Sequence, residues 1–231
     1  LAMALAPAAA LFVADERGVV HAVWFAVSIG FIGAVSVFFV RETYVRLPSR
    51  PPFQLRRLIE RSAMAPSFIS AAMMFVFGGI VTFVPLDAQR RTIGDPALFF
   101  LLFSVMLVVI RPLAGRWSDI VSNRATIIIP GLLSIAGAAW VLAVFESHWT
   151  LIIVAVLWAF GFGTVQPLIR SLVLERAPAE RWGAANATTL TFYDLGMALG
   201  APILGYIAST WNYRVMYAVS SLPLLVCVAG M

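Results

Sequence analysis

The sequence predicts an all-α membrane protein, a helical bundle of about eight transmembrane segments. Hydrophobic residues make up 61% of the 231 residues, charged residues only 12%, and the mean hydropathy is +0.94. A water-soluble domain of this size cannot hide so much apolar surface, so the solvent is lipid. The apolar runs are long and do not alternate. This excludes the strands of a membrane barrel and leaves helices as the spanning element.

Eight apolar runs follow in order, at roughly 1–14, 20–40, 66–86, 95–113, 125–145, 149–172, 183–207 and 213–231. Polar punctuation separates them, including Asp15-Glu16-Arg17, the stretch 41–65, Arg116–Arg124 and Glu175–Arg181. The chain opens inside the first run and stops inside the last, so it is expected to be a piece of a longer protein. No secretory signal is visible.

All 16 basic residues are arginine, and their placement sets the orientation. Alternate connections hold Arg41, Arg46, Arg50, Arg56, Arg57 and Arg61, then Arg111, Arg116 and Arg124, then Arg170, Arg176 and Arg181. The opposite side has only Arg17, Arg90, Arg91 and Arg214, so the richer side is expected to face the cytoplasm. The net charge of +5 therefore reports topology rather than nucleic-acid affinity. No aromatic reader or folded module accompanies the charges, so nucleic acid is not an expected partner.

The longest connection, 41–65, is broken by Pro48, Pro51 and Pro52. After them Leu55, Leu58, Ile59 and Ser62 fall at helical spacing among arginines, which suits a short helix on the anionic inner leaflet. The stretch divides two segments, 1–40, from six, 66–231. The run LAMALAP at Leu1–Pro7 also returns as LGMALGAP at Leu195–Pro202. A return after six helices is what two homologous six-helix halves produce.

The fourth segment runs into RPLAGRWSDIVSNR, Arg111 to Arg124. Gly115 is expected at a tight turn, where a residue without Cβ fits. Asp119 is expected to accept hydrogen bonds at a cytoplasmic helix start. These residues resemble the loop signature of the major facilitator superfamily: Gly115, Asp119 and Arg124 fill its Gly, Asp and terminal basic places. Ile120, Ser122 and Asn123 depart from it. The seventh segment, carrying Gly196, Gly200 and Gly205, is similar to the penultimate helix of that superfamily, and Gly196/Gly200 form a GxxxG pair for close helix packing.

The resemblance implies a secondary transporter working by alternating access between two six-helix halves, in a plasma (bacterial inner) membrane. The chain then covers the last two helices of the first half (1–40), a cytoplasmic linker (41–65) and the second half (66–231). The N-terminal helices of the same protein are expected as a partner, and the piece alone is not expected to transport. The first segment matches a place where some antiporters carry a Gly-Pro-rich motif, with Ala6, Ala9 and Ala10 where glycines are usual. Proton-coupled efflux is the expected direction. An uptake symporter for a sugar or metabolite and a non-transporting binding or scaffold protein are the alternatives.

Asp194 lies near the centre of its span, where an ionisable group is costly against lipid, so it is expected to face the bundle interior. It is either a carboxylate that loads and releases the coupling proton or a structural Asp held by helix–helix hydrogen bonds. Trp158, Phe162, Gln166, Tyr193, Asn186 and Thr82 are the candidates for the cavity wall. By resemblance, the third and sixth segments correspond to cavity-lining helices. Gly161, Gly163 and Pro167 are expected to let the sixth bend.

Arg111 and Arg170 are placed near cytoplasmic helix ends, where snorkelling explains them. With no cluster of arginines at mid-depth, a small amphipathic solute is expected rather than a phosphorylated one. No enzyme, cofactor or metal is expected: His21 and His148 lack partners at metal spacing, Cys227 stands alone, and no phosphate-cradling Gly–Lys loop occurs.

Overall fold

The computed structural model describes residue 13 and residues 17–39 and 59–231. Apart from Val13, the first predicted span lies outside the described residues. So do the repeat copy at 1–7 and the stretch 41–58. Six described helices are long and apolar enough to cross a membrane, and no strand occurs among the described residues.

Helix α1, Val19–Ser36, continues into a 3-10 turn at Val37–Phe39 and has no buried residue. Helix α2, Arg61–Ala88, starts before the predicted 66 because Glu60 caps it. The Glu60 carboxylate accepts from the Ser62 amide at 3.2 Å and the Ser62 hydroxyl at 2.9 Å. Arg61 and Ser62, expected in the linker, therefore open a membrane helix.

Helix α3, Pro96–Ile120, has Pro96 in its first turn and Asp95 as cap, accepting from the Ala97 amide at 2.8 Å. It was expected to end near 113. Pro112 removes one backbone hydrogen bond without stopping it, and the helix runs on to Ile120. Helix α4, Ala125–Val144, begins where Asn123 accepts from the Ala125 amide at 3.0 Å. Helix α5 is Thr150–Arg176. A 3-10 turn at Ala179–Arg181 leads into α6, Trp182–Thr210.

The last span, expected as one run over 213–231, is two short helices meeting at Ser221: α7, Tyr213–Ser220, and α8, Leu222–Ala229. Pro223 has no N–H to continue the ladder. Ser220 and Ser221 turn their hydroxyls back onto the Tyr217 and Ala218 carbonyls, at 2.7 Å each.

Helix α5 is the hub, packed against α2, α3, α4 and α6. Its Trp158 has no solvent exposure and stacks on Phe77 of α2 at 6.1 Å, while Phe162 meets Phe77 at 5.4 Å and Phe103 of α3 at 6.0 Å. In lipid such contacts hold by close packing, because the hydrocarbon outside is as apolar as the protein inside. Small residues set the spacing. A Cβ on Gly161 would lie 2.4 Å from the Gly131 carbonyl of α4, and one on Gly163 would lie 2.8 Å from Ile110 of α3. These glycines, expected to soften the helix, instead admit its neighbours.

Helix α6 lies along α2 in the same manner. A Cβ on Gly196 would sit 2.2 Å from the Ala71 carbonyl oxygen, one on Gly200 2.2 Å from that of Phe75, and one on Gly205 2.9 Å from the Phe83 ring. Ser67 and Thr189 hydrogen-bond across this seam at 3.1 Å. At the outer end, Gly94 has a φ of +121°, and a Cβ there would meet the His148 carbonyl at 2.8 Å. The neighbouring Ile93 carbonyl accepts from the Leu151 amide at 3.0 Å, which ties the loop before α3 to the start of α5.

Candidate functional site

Depth along each helix locates a polar layer. At 1.5 Å per residue, Arg111 on α3, Gln166 on α5 and Tyr193 and Asp194 on α6 all lie within about 5 Å of the middle of their helices. Because α3 reaches Ile120, Arg111 is a mid-depth residue and not the snorkelling end residue expected from the sequence. It donates through Nη2 to the Gln166 carbonyl oxygen at 3.1 Å, and its Nε is buried without a hydrogen-bond partner. Arg170, one turn from Gln166, lies about 10 Å from the middle of α5 towards its C-terminal end. The charges of Arg170, Arg111 and Asp194 all act on the Tyr193 hydroxyl, so three helices bring these groups to one region. Of these two arginines Arg111 lies at mid-depth and Arg170 nearer the end of its helix.

Asp194 is not enclosed by the described helices, as had been expected. It is exposed and lies about 200° around α6 from Gly196, which faces α2. Its turn-neighbours Ala187, Leu190, Thr191 and Ala198 are exposed too. A carboxylate and a guanidinium at this depth are costly against lipid.

The other expected wall residues do not gather here. Trp158 and Phe162 belong to the aromatic core, 0% and 4% exposed. Asn186 is exposed about 15 Å from the middle of α6 towards its N-terminal end, and Thr82 is exposed in the C-terminal half of α2 with its hydroxyl on the Gly78 carbonyl.

The signature from Arg111 to Arg124 is mostly helical. Gly115 lies within α3 with nothing within 4 Å of a Cβ placed on it, so it makes no turn. Asp119 is exposed near the end of α3, and Asn123 does the capping expected of it. Arg124 donates to the Ser118 hydroxyl and to the Glu175 carboxylate at 2.5 Å, which joins α3 and α4 to the end of α5. Ser118, Asp119, Arg124 and Glu175 border a cavity of about 970 Å³ that also reaches Phe68 of α2 and Met231.

A further charged group escaped sequence reasoning. Asp87, fully buried near the outer end of α2, accepts from two nitrogens of Arg91, and Arg91 also donates to the Leu142 carbonyl at 3.1 Å. Glu146 pairs with Arg214 at 2.7 Å and with Arg91 at 3.6 Å. The signal was present as an Asp and an Arg four residues apart, hidden because the span was ended at 86.

The family model described as Major Facilitator Superfamily matches residues 87–231. The chain belongs to the major facilitator superfamily, a family of membrane transporters. It is 28% identical over 151 residues to the uncharacterized MFS-type transporter YwoD of Bacillus subtilis, covering 63% of this chain and 33% of that protein. An MFS-type transporter of Pseudomonas aeruginosa is 27% identical over 156 residues, 67% of this chain and 37% of the relative. One from Methanocaldococcus jannaschii is 20% identical over 220 residues, 90% and 56%. The chain thus spans about a third to just over a half of the length of these relatives.

Proposed function

We propose that this chain supplies part of a secondary active transporter that moves a small amphipathic solute by alternating access, with Asp194 carrying the coupling proton. The carrying observation is that Asp194, exposed on α6, and Arg111, hydrogen-bonded to Gln166 on α5, both lie near the middle of their helices. Residues from Arg61 onward form the second six-helix half in this reading. The N-terminal helices of the same protein close the solute path from the other side. The setting is a bacterial inner membrane, with arginine-rich connections inside.

Export against an inward proton gradient is the first direction proposed. Uptake with a proton is the second. It is favoured by Arg111 and Asp194 sharing one layer, since a proton on Asp194 frees the nearby positive charges for the solute. Reversing the imposed proton gradient in vesicles and following accumulation separates the two. Asp194→Asn in the full-length protein is expected to abolish gradient-driven movement while passive exchange survives, because the amide keeps the shape and loses the titratable charge. Normal proton-coupled flux in that variant assigns Asp194 to structure.

A further inference from the structure

We infer that the mid-depth layer is a recognition site for a single negative charge, and that the solute carries a carboxylate or an equivalent monoanion at its polar end. This deepens the transport reading above and rests on it for the word solute.

Arg111 presents the recognition group. A guanidinium binds a carboxylate through parallel N–H donors, a geometry that an ammonium lacks. Among the described residues neither Arg111 nor Arg170 forms a salt bridge. The ion pairs among the described residues lie at the two ends of the bundle, where Arg91, Arg124, Arg181 and Arg214 meet acidic side chains. Arg111 alone is held at mid-depth by a neutral amide, the Gln166 carbonyl oxygen, with its Nε buried and unsatisfied. Gln166 fixes one edge of the fork and keeps its own NH2 group as a further donor.

The charge count selects the ligand class. Arg111 and Arg170 supply two positive charges and Asp194 one negative, a sum of +1 that one carboxylate neutralises and a phosphate dianion overshoots. The surroundings are apolar: Val108 on α3 and Leu190 on α6, a helical turn from Arg111 and Asp194, are 49% and 43% exposed. A short hydrocarbon or aromatic body attached to the anion suits that wall.

The test uses the full-length protein in detergent and two probe pairs that differ only in charge: benzoate against benzamide, and octanoate against octanamide. Equilibrium binding is expected for at least one of the two anions and at least about tenfold weaker for its amide, the ratio expected from losing one charge-assisted hydrogen bond. Arg111→Gln is expected to erase the preference for the anion and Arg111→Lys to keep part of it. Arg116→Gln, which removes an exposed charge from the same helix, should leave it intact. Unchanged thermal unfolding of Arg111→Gln confirms that the loss is one of recognition. Absence of binding by both anions, equal binding of anion and amide, preference for inorganic phosphate, or an Arg111→Gln protein that still prefers the anion each overturns the inference. Anion binding without flux under any gradient overturns the transport reading and leaves this site standing.

Discussion

Arg91 grips Asp87 through two of its nitrogens, four residues along the chain, and Asp87 has no solvent exposure. Arg91 also reaches the last turns of α4 through the Leu142 carbonyl, and Glu146 beside it pairs with Arg214 at the start of α7. The pair thus pins the outer ends of three helices together. Removing one partner strands a buried charge. Arg91→Met is expected to destabilise the protein by about 3–5 kcal/mol. The double variant Asp87→Asn with Arg91→Met should recover a large part of that loss. Thermal unfolding in detergent reads both; a double variant no more stable than Arg91→Met alone refutes this account.

Glycines in the same family signatures should respond in opposite directions. Gly196→Ala places a methyl 2.2 Å from a backbone oxygen of α2, which cannot rotate away as a side chain can. A loss of about 1–3 kcal/mol is expected from the forced separation of α2 and α6. Gly115→Ala meets nothing within 4 Å and lies inside a helix, so a gain of about 0.5–1 kcal/mol is expected from reduced backbone freedom in the unfolded chain. Unfolding midpoints of the two variants moving the same way would count against this reading of the seam.

Acid should loosen both ends of the bundle. Hydrogen bonds from Ser62, aided by Arg181, hold the Glu60 carboxyl below its ordinary range, and the Arg214 hydrogen bond does the same for Glu146. A carboxyl depressed in the folded state adds stability that is complete above its unfolded value, about 4.3, and is lost as pH falls through the lower folded value. The unfolding temperature is therefore expected to fall below about pH 4. Glu146→Gln and Glu60→Gln should each flatten that fall without changing its onset at higher pH. A wild-type curve matching both variants between pH 3 and pH 6 would show that these carboxylates contribute nothing.

The sequence made the bundle legible because span length and hydropathy are sums over many residues and tolerate local error. Residue-level placement was less legible. Trp158 and Phe162 share their apolar, aromatic character with cavity residues, and only the contact with Phe77 and Phe103 assigns them to the core. Arg111 was misplaced in depth because Pro112 looks like a helix end, whereas the proline sits inside a helix that reaches Ile120. Counting residues puts Asp194 near the middle of α6, but the side of α6 it occupies depends on which face Gly196 and Gly200 give to α2.

That seam has a mechanical consequence. Where Gly196 meets Ala71 and Gly200 meets Phe75, backbone touches backbone, with no side chain between to bend or change rotamer. Two rods joined without padding transmit torque. A tilt of α6 is therefore expected to carry α2 with it, the two moving as a stiff plank rather than as separate helices. A loosened joint at Gly196 or Gly200 would let the two slip past each other, and the stroke of the lever would shorten.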